Sequence, residues 1–304
     1  MAKANGVVGR IEGELAGFAG TVGLAVKHLG TGEEIRINAD RVMPTASTIK
    51  VPILIELYRQ VERGEVDLGR KLAATAETRT VGSGILRELS LGVELSVHDL
   101  ATLMIVVSDN TATNMLIDLV GIERVNATLA EFGFARTRLV RRLDFPAIGK
   151  DAHNLAVTTP AELMGIMEAL ATGRILSEAS REGIFEIMRR QHYTGLVPRY
   201  LPYAPYAPEH GDEDNGLQIA NKTGGWTDMR ADMALVEWPG EDEPTRYVIG
   251  IISEGNPDTR YWAENEGDRL IGRVSRMIFN HFGGGALDAP KLEPAEATKA
   301  VGSD

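Results

Sequence analysis

The chain of 304 residues contains no cysteine. This absence excludes disulfide bonds, a thiol nucleophile and a zinc site with thiolate ligands. Basic residues are also in deficit, because 32 lysines and arginines stand against 43 aspartates and glutamates, for a net charge of −11. A protein that binds nucleic acid or an anionic membrane surface needs a basic face, so we expect neither partner. No apolar stretch approaches the length of a transmembrane helix.

The first residues also lack the pattern of a signal peptide. Arg10, Glu12 and Glu14 interrupt the apolar residues that would form its hydrophobic region. As written, the sequence therefore predicts a cytoplasmic protein. A chain from which an export signal had been removed would look the same and would be periplasmic or secreted.

Strand patterns occur near both ends of the chain. "TVGLAVKHL" and "EEIRIN" are joined by a turn at Gly30-Thr31-Gly32, and "LQIANKTGG", "ADMALVEW" and "RYVIGIIS" follow residue 216. These segments predict an antiparallel sheet of about five strands built from both termini. The region between them has helical periodicity, so the fold class is α/β in composition, of the α+β type, with helices flanking the sheet.

The same pattern predicts a division into domains. Residues 1–42 together with 200–285 would form the α/β sheet domain, and residues 43–199 an all-helical domain inserted into it. The end of the chain, 286–304, is rich in Ala, Pro and charged residues and predicts a disordered tail.

Ser47 and Lys50 open an apolar run in "RVMPTASTIKVPILIELYRQ". Residues three apart share a helix face, so the hydroxyl and the ammonium would lie side by side. One interpretation is structural: Thr45 or Ser47 caps the helix, and the lysine extends towards solvent. The other is chemical, because a lysine near other cations in a partly dry site loses proton affinity and can accept the serine proton.

Two further motifs favour the chemical interpretation. Ser108-Asp109-Asn110 lies between two helical segments, and Lys222-Thr223-Gly224 lies on a predicted strand. The ordered set Ser-x-x-Lys, Ser-Asp-Asn, Lys-Thr-Gly resembles that of the serine β-lactamase and penicillin-binding superfamily, and is most similar to class A β-lactamases. The resemblance extends from about residue 20 to 282 and includes "VGSGILREL" and "TTPAEL".

The resemblance implies a role for each matching catalytic residue. Ser47 would attack an acyl carbonyl with Lys50 as its base, and Ser108 would pass a proton to the leaving nitrogen. The backbone N–H groups of Ser47 and Gly225 would form the oxyanion hole. Asp109 would orient its loop.

The resemblance also implies a substrate that carries a carboxylate. Lys222, Thr223 and Gly224 would bind that carboxylate, with the lysine keeping the local field positive and so assisting catalysis. Asn110 would bond the amide side chain of the substrate. We expect a small-molecule or peptide substrate, no cofactor and a monomeric protein.

The loop before "TTPAEL" departs from the class A pattern. Class A β-lactamases carry a glutamate there that activates the deacylating water, and the matching position here is Leu143. The range from Arg136 to Ala161 contains no glutamate, and an asparagine that helps to hold the water is replaced near Ala147. Asp144 is the nearest carboxylate. It either acts as the base in place of the glutamate, or it has a structural role in which it caps a helix or pairs with Arg141 or Arg142. We therefore expect acylation to persist and deacylation of a β-lactam adduct to be slow.

Other candidates have both functional and ordinary interpretations. His153 is a possible base or a surface residue, and the six histidines (28, 98, 153, 192, 210, 281) show no metal-ligand spacing. Arg199 and Arg230 would bind a substrate carboxylate or serve as surface charges. Trp226 would line the mouth of the site or belong to the core.

Three functions stay open at this point. The first is a class A-like serine hydrolase that acts on β-lactams slowly or by a different deacylation route. The second is a peptidase, amidase, esterase or acyl-transferase on another substrate, which the lack of a signal peptide favours. The third is a non-catalytic penicillin-binding protein, which the intact Ser47, Lys50, Ser108 and Lys222 argue against.

Overall fold

A five-stranded antiparallel sheet is built from both ends of the chain in the computed structural model, which describes residues 2–205 and 214–287. The strands lie in the order β2-β1-β10-β9-β8. Their bounds are Thr21–His28 (β1), Glu34–Ile37 (β2), Gln218–Trp226 (β8), Met229–Trp238 (β9) and Thr245–Glu254 (β10). The predicted sheet, its approximate strand number and its origin in both termini are confirmed.

Strands β10 and β9 are largely buried because helices cover both faces of the sheet. Nine of the ten residues of β9 are buried. At Gly250, on the neighbouring strand β10, an added Cβ would lie 2.5 Å from the carbonyl oxygen of Pro160 and 2.7 Å from Cβ of Leu163. A helix therefore packs directly on the backbone of the sheet at this point.

Nine helices are present within the described residues. Their bounds are Ala2–Leu15 (α1), Lys50–Glu62 (α2), Val97–Val106 (α3), Asn110–Val120 (α4), Ile122–Glu131 (α5), Phe145–Ile148 (α6), Pro160–Ala171 (α7), Glu178–Arg189 (α8) and Glu266–His281 (α9). Helix α7 is the one that packs against Gly250, and α1 and α9 cover the other face. Thr159 caps α7 and accepts a hydrogen bond from the Glu162 N–H at 3.1 Å.

The region 43–199, predicted as all-helical, is mainly helical but also contains two small sheets. Strands Met43–Pro44 (β3), Arg138–Leu139 (β6) and Ala156–Thr158 (β7) form one, and Lys71–Ala73 (β4) and Glu94–Ser96 (β5) form the other. Strands of two or three residues are too short to show an alternating pattern, so the sequence did not reveal them. The division into two domains stays a prediction.

Two expectations concern the ends of the chain and membranes. The proposed tail begins within a 3-10 turn, Gly284–Ala286, and residues 288–304 lie outside the described residues. Within the described ranges, no helix combines the length and the apolar composition needed to cross a bilayer.

Candidate active site

Ser47 lies in a 3-10 turn, Ala46–Ile49, that leads directly into α2 at Lys50. The turn is closed by the Thr48 N–H, which donates to the carbonyl of Thr45 at 3.2 Å. Ser47 is half-buried, whereas Lys50 is fully buried. The structure therefore places the nucleophile candidate at a cavity surface, with the lysine behind it.

Lys50 contacts the Ser-Asp-Asn loop. Its Nζ lies 2.8 Å from the carbonyl oxygen of Ser108, 3.0 Å from Ser108 Oγ and 2.8 Å from Asn110 Oδ1. Within residues 2–205 and 214–287, the Ser47 hydroxyl has no hydrogen-bond partner. The hydroxyl is therefore free to turn towards a bound acyl group or towards the lysine.

Ser108 Oγ lies between two lysines. Lys222 Nζ donates to it at 3.1 Å and to the carbonyl of Thr223 at 2.8 Å, opposite the contact from Lys50. Burial, and then the charge of Lys222, lowers the pKa of Lys50 well below its usual value. The hydroxyl of Ser108 thus connects the two lysine side chains.

Burial also lowers the pKa of Lys222, to about 7. Asp232 on β9 opposes this shift, and burial raises its own pKa to about 7. Asp232 is fully buried, and its carboxylate accepts hydrogen bonds from Asn221 Nδ2 at 3.1 Å and from the Val197 N–H at 3.1 Å. We did not single out this residue from the sequence, although one aspartate inside the apolar strand "ADMALVEW" was the available signal.

Asp109 orients its loop, as expected. One carboxylate oxygen caps α4 by accepting from the Ala112 N–H at 2.9 Å, and the other accepts from the N–H groups of Ile85 and Leu86, each at 2.7 Å. Ser108 is held at φ +52°, a conformation that non-glycine residues seldom adopt. The three bonds of Asp109 stabilise this strained turn and so present Ser108 to both lysines.

Strand β8 passes close to the Ser47 turn. An added Cβ at Gly224 would lie 2.7 Å from the Thr45 carbonyl oxygen and 3.0 Å from the backbone nitrogen of Ser47. Only glycine permits this approach. Gly225 is the next residue of the strand and lines both cavities beside Ser47, and the oxyanion hole of the Ser47 and Gly225 N–H groups stays a prediction.

Two cavities meet at Ser47. One, of about 490 Å³, includes Ser108, Thr223 and Arg230 and is here called the polar lobe. The other, of about 530 Å³, is here called the apolar lobe and is lined mainly by Ala46, Leu143, Phe145, Leu155, Trp226 and Tyr261. Both lobes share Ser47, Ser83, Gly225 and Tyr261, so a molecule bound at Ser47 can extend into each of them.

Comparison with known proteins agrees with this geometry. A model described as the beta-lactamase enzyme family matches residues 7–282. The chain belongs to this family. It is a serine hydrolase of the β-lactamase and penicillin-binding superfamily, similar to class A enzymes, as the motifs predict.

Individual relatives of this family cover most of the chain. A β-lactamase of Rhodobacter capsulatus is 26% identical over 271 residues, which are 88% of this chain and 85% of the relative. The crystal structure of a β-lactamase from Sphaerobacter thermophilus is 30% identical, with 93% of this chain and 97% of that chain covered and a TM-score of 0.78. The structure of PBP-A is 30% identical, with 91% and 96% covered and a TM-score of 0.77.

Leu143 lies in the loop before α7 and contacts the site. Its side chain is 4% exposed and lines the apolar lobe beside Ser47. Its backbone is fixed on both sides: the N–H donates to Asn114 Oδ1 at 2.9 Å, and the carbonyl accepts from Asn114 Nδ2 at 3.2 Å and from Thr80 Oγ1 at 3.0 Å. The position that the sequence predicts to match the class A glutamate is thus apolar, and its backbone is held by three hydrogen bonds.

Asp144 does not replace the missing base in this geometry. Its exposed carboxylate caps the short helix α6 by accepting from the Ala147 N–H at 3.3 Å, and it lines a different cavity from that of Ser47. His153 also lies elsewhere, with Nδ1 2.8 Å from Asp151 and Nε2 3.5 Å from Glu254. Neither residue is brought to Ser47.

Trp226 and Arg230 both line the site but are already paired. The Trp226 ring stacks on Phe145 with centroids 5.2 Å apart, and its Nε1 donates to the Lys150 carbonyl at 3.2 Å. Arg230 bonds Asp268 at 2.9 Å and lies 4.6 Å from the Tyr261 ring centre. The carboxylate of Asp268 neutralises Arg230, which therefore offers a substrate carboxylate less than a free arginine would.

Two remaining residues differ in their relation to the site. Arg199 donates to the Ala263 carbonyl at 2.5 Å, lies 3.6 Å from Glu264 and does not line either lobe. Asn110 lines the apolar lobe, and its Oδ1 is occupied by Lys50 while its Nδ2 donates to Val81 at 3.0 Å. The bond from Asn110 to a substrate amide stays a prediction.

Proposed function

We propose that this serine hydrolase transfers acyl groups through a Ser47 ester, and that β-lactams acylate it and are released slowly. The observation that carries the proposal is that Ser47 lines a cavity with the apolar Leu143, while Ser108 lines the adjoining lobe and contacts the buried Lys50 and Lys222. Ser47, Lys50, Ser108 and Lys222 supply the nucleophile and the proton-transfer groups that acylation needs. Leu143 occupies the position where deacylation would need a base.

Acylation begins with attack of Ser47 Oγ on the substrate carbonyl. A C–O bond forms, and the hydroxyl proton passes to Lys50, whose lowered pKa makes the neutral amine accessible. The carbon–nitrogen bond then breaks, and Ser108 Oγ, 3.0 Å from Lys50 Nζ, returns the proton to the leaving nitrogen. The N–H groups of Ser47 and Gly225 stabilise the oxyanion between these steps.

The leaving group belongs in the polar lobe. Ser108 must lie beside the nitrogen that it protonates; Thr223 lines the same lobe, and the buried Lys222 contacts Ser108 Oγ. A carboxylate on the leaving group would gain a charge-assisted contact there. This supports amide and ester substrates whose leaving portion carries a carboxylate, which includes β-lactams.

Deacylation requires a base that activates the incoming water. A positioned base is worth about 10²–10⁴-fold in rate, and Leu143 has no group that accepts a proton. The structure of a PBP-A mutant in which a leucine is replaced by glutamate is described as an acyl-enzyme complex with penicillin G, and that protein is 29% identical to this chain. A relative of this kind supports testing penicillin as an acylating agent here.

A second candidate function is peptidase, amidase, esterase or acyl-transferase activity on a substrate other than a β-lactam. The apolar surface at Leu143 favours it, because an amine or alcohol acceptor that brings its own binding contacts depends less on a positioned water. A purely non-catalytic binder is disfavoured. Such a protein has no use for a serine hydroxyl held between two buried lysines.

The first experiment follows intact protein mass after mixing with penicillin G and with a chromogenic cephalosporin. We expect a Ser47-dependent adduct that persists for many minutes, with colour release limited to about one equivalent. Ser47→Ala should form no adduct, whereas Ser83→Ala, which changes the other serine shared by both lobes, should still be labelled. Rapid turnover of both compounds would contradict slow deacylation, and the absence of any adduct would contradict the β-lactam part of the proposal.

A further inference from the structure

A further cavity lies beside the loop that carries Leu143, and Ser47 does not line it. Its volume is about 680 Å³, which is larger than that of either lobe at Ser47. Residues 77–81 form one wall, residues 140–147 form the other, and helices α4 and α5 lie between them. We call this space the loop cavity. None of the four residues assigned to acylation lines it, so it is separate from the site of that reaction.

Hydrogen bonds connect the two walls of the loop cavity. Arg142 Nη2 donates to the carbonyl of Glu77 at 3.0 Å, and its Nη1 lies 3.1 Å from a carboxylate oxygen of Asp118 on α4. Thr80 Oγ1 donates to the carbonyl of Leu143 at 3.0 Å. The cavity is therefore a fixed part of the fold, and Arg142 helps to build it.

Two other arginines line the loop cavity without an acidic partner. Arg141 donates through Nε to the Asn154 carbonyl at 2.8 Å and through Nη1 to the Ala147 carbonyl at 3.2 Å. Arg79 likewise bonds a carbonyl. In the part of the chain that the structure describes, neither arginine forms an ion pair. A bond to a carbonyl positions a guanidinium but leaves its charge uncompensated, so an anion bound here would gain a charge-assisted contact.

The acidic residues of the loop cavity limit the charge of its occupant. Five charged side chains line it, those of Arg79, Arg141, Arg142, Glu77 and Asp144, and they leave one net positive charge. Both carboxylates are exposed at its edge. A single negative charge on a ligand would balance the lining, whereas a second one would meet Glu77 or Asp144 and be repelled.

Apolar side chains also line the loop cavity, among them Val81, Ile122, Val140 and Pro146. Val81 is 57% exposed and Val140 is 43% exposed. A molecule in the cavity would cover both side chains and gain by burying its own apolar surface against them. The lining therefore suits a ligand that combines one negative charge with an apolar body.

We propose that the loop cavity is a second binding site, separate from Ser47, and that its ligand is a monoanion with an apolar body, of the class of aryl and alkyl monocarboxylates. Arg141 binds the carboxylate, and Val81 and Val140 cover the apolar part. Leu143 lines both this cavity and the apolar lobe, so the ligand would contact a segment that also forms the cavity of Ser47. The proposal does not depend on acyl-enzyme chemistry.

Three naphthalene compounds test the charge and the apolar body together. Naphthalene-2-carboxylate is the monoanion, naphthalene-2-carboxamide is its neutral counterpart, and naphthalene-2,6-dicarboxylate carries a second charge. Binding to the full chain is measured by titration calorimetry, with Tm recorded at saturation. We expect the monoanion to bind saturably and to raise Tm. The amide and the dicarboxylate should each bind about 10-fold more weakly or worse, because a charge-assisted hydrogen bond is lost or a like charge is added.

Variants locate the bound naphthoate. Arg141→Gln should weaken its binding by about 10-fold or more. Val140→Glu places a negative charge at an exposed position of the cavity without touching the bonds of Arg141, so it should also weaken binding and keeps the test decisive if Arg141→Gln fails to fold. Arg138→Gln is the matched control, because Arg138 is exposed on β6 and does not line the cavity. Thr223→Val changes the polar lobe and should leave the Kd unchanged; weaker binding in this variant would place the naphthoate at Ser47 and overturn the proposal.

The remaining outcomes separate this proposal from that of the acyl-enzyme. Equal binding of the three compounds, or an unchanged Kd in both Arg141→Gln and Val140→Glu, would overturn the second site. Penicillin labelling of Ser47 is followed by intact mass in the same samples. Labelling without any binding of naphthoate at millimolar concentration would overturn the second site alone. Binding that follows the expected pattern without labelling would support the second site and contradict only the β-lactam part of the proposed function.

Discussion

Replacing Leu143 with glutamate should convert a slowly released penicillin adduct into turnover. The leucine side chain lines the cavity of Ser47, and three hydrogen bonds from Asn114 and Thr80 hold its backbone whatever side chain it carries. A carboxylate introduced there can reach a water beside the ester carbon. Since a positioned base contributes about 10²–10⁴-fold, we expect deacylation to accelerate by about that factor.

The same change should reduce stability. Leu143 is 4% exposed, and removing its apolar burial costs about 1.5–3 kcal/mol. For a chain of 304 residues, this loss of stability corresponds to a fall of about 5 °C in Tm. A gain in the rate of one step therefore accompanies a loss of folding stability.

The assay measures adduct lifetime by intact mass and steady-state hydrolysis of penicillin G, with Tm recorded for each variant. Leu143→Gln is the matched control, because it has the shape and polarity of glutamate without the base, and it should lose stability without gaining turnover. Val140→Glu adds a carboxylate to the same loop outside the lobe and should change neither. If folded Leu143→Glu kept the wild-type adduct lifetime, the argument that an absent base limits deacylation would be refuted.

Three further predictions concern the cap, the loop and the pH profile. Asp144→Asn should leave deacylation and Tm nearly unchanged, because asparagine caps helices as well as aspartate does and the carboxylate lies away from Ser47; a large loss of turnover would assign it the base. Asp109→Ala should lower the free energy of unfolding, measured in urea, by about 2–4 kcal/mol and should slow acylation. The reason is that the N-terminus of α4 and two loop N–H groups lose their acceptor. An unchanged urea midpoint would contradict this prediction. Acylation by a carboxylate-bearing donor should weaken as the pH rises through about 7, where Lys222 loses its charge, while an uncharged ester continues to react through neutral Lys50; parallel pH profiles would contradict this.

The site could be predicted from the sequence to the extent that its residues belong to local motifs. Ser47 and Lys50 are three residues apart on one turn, and Ser108 and Lys222 each belong to a short motif. Their catalytic roles could therefore be predicted from these local sequences. The lack of a glutamate between Arg136 and Ala161 could likewise be read directly from the sequence. The sheet could be predicted because its strands are long and have regular apolar patterns.

Features that depend on distant contacts could not be predicted in this way. Phe145 and Trp226 are far apart in the chain, and nothing in either segment shows that their rings stack on each other beside the apolar lobe. The pairing of Arg230 with Asp268 is of the same kind and turns a candidate for carboxylate binding into a neutralised pair. Such contacts are set by how the C-terminal helix and the loops pack against β8 and β9, and residue spacing does not encode that packing.

The two lobes connect substrate preference with the lifetime of the acyl-enzyme. An acyl group that fills the space between Leu143 and the Phe145–Trp226 wall occupies the region from which a water would approach the ester. Across a series of acyl thioesters of thioglycolic acid, we therefore expect the adduct lifetime measured by intact mass to lengthen from acetyl to hexanoyl. A class A enzyme separates the two requirements by keeping a carboxylate beside the ester. If one apolar surface both binds the acyl group and faces the water, Leu143→Glu should shorten the lifetime of every adduct and reduce the preference for long acyl groups at the same time. If the two effects separated, with turnover restored and the chain-length preference kept, the acyl group and the water would have to use different regions of the cavity.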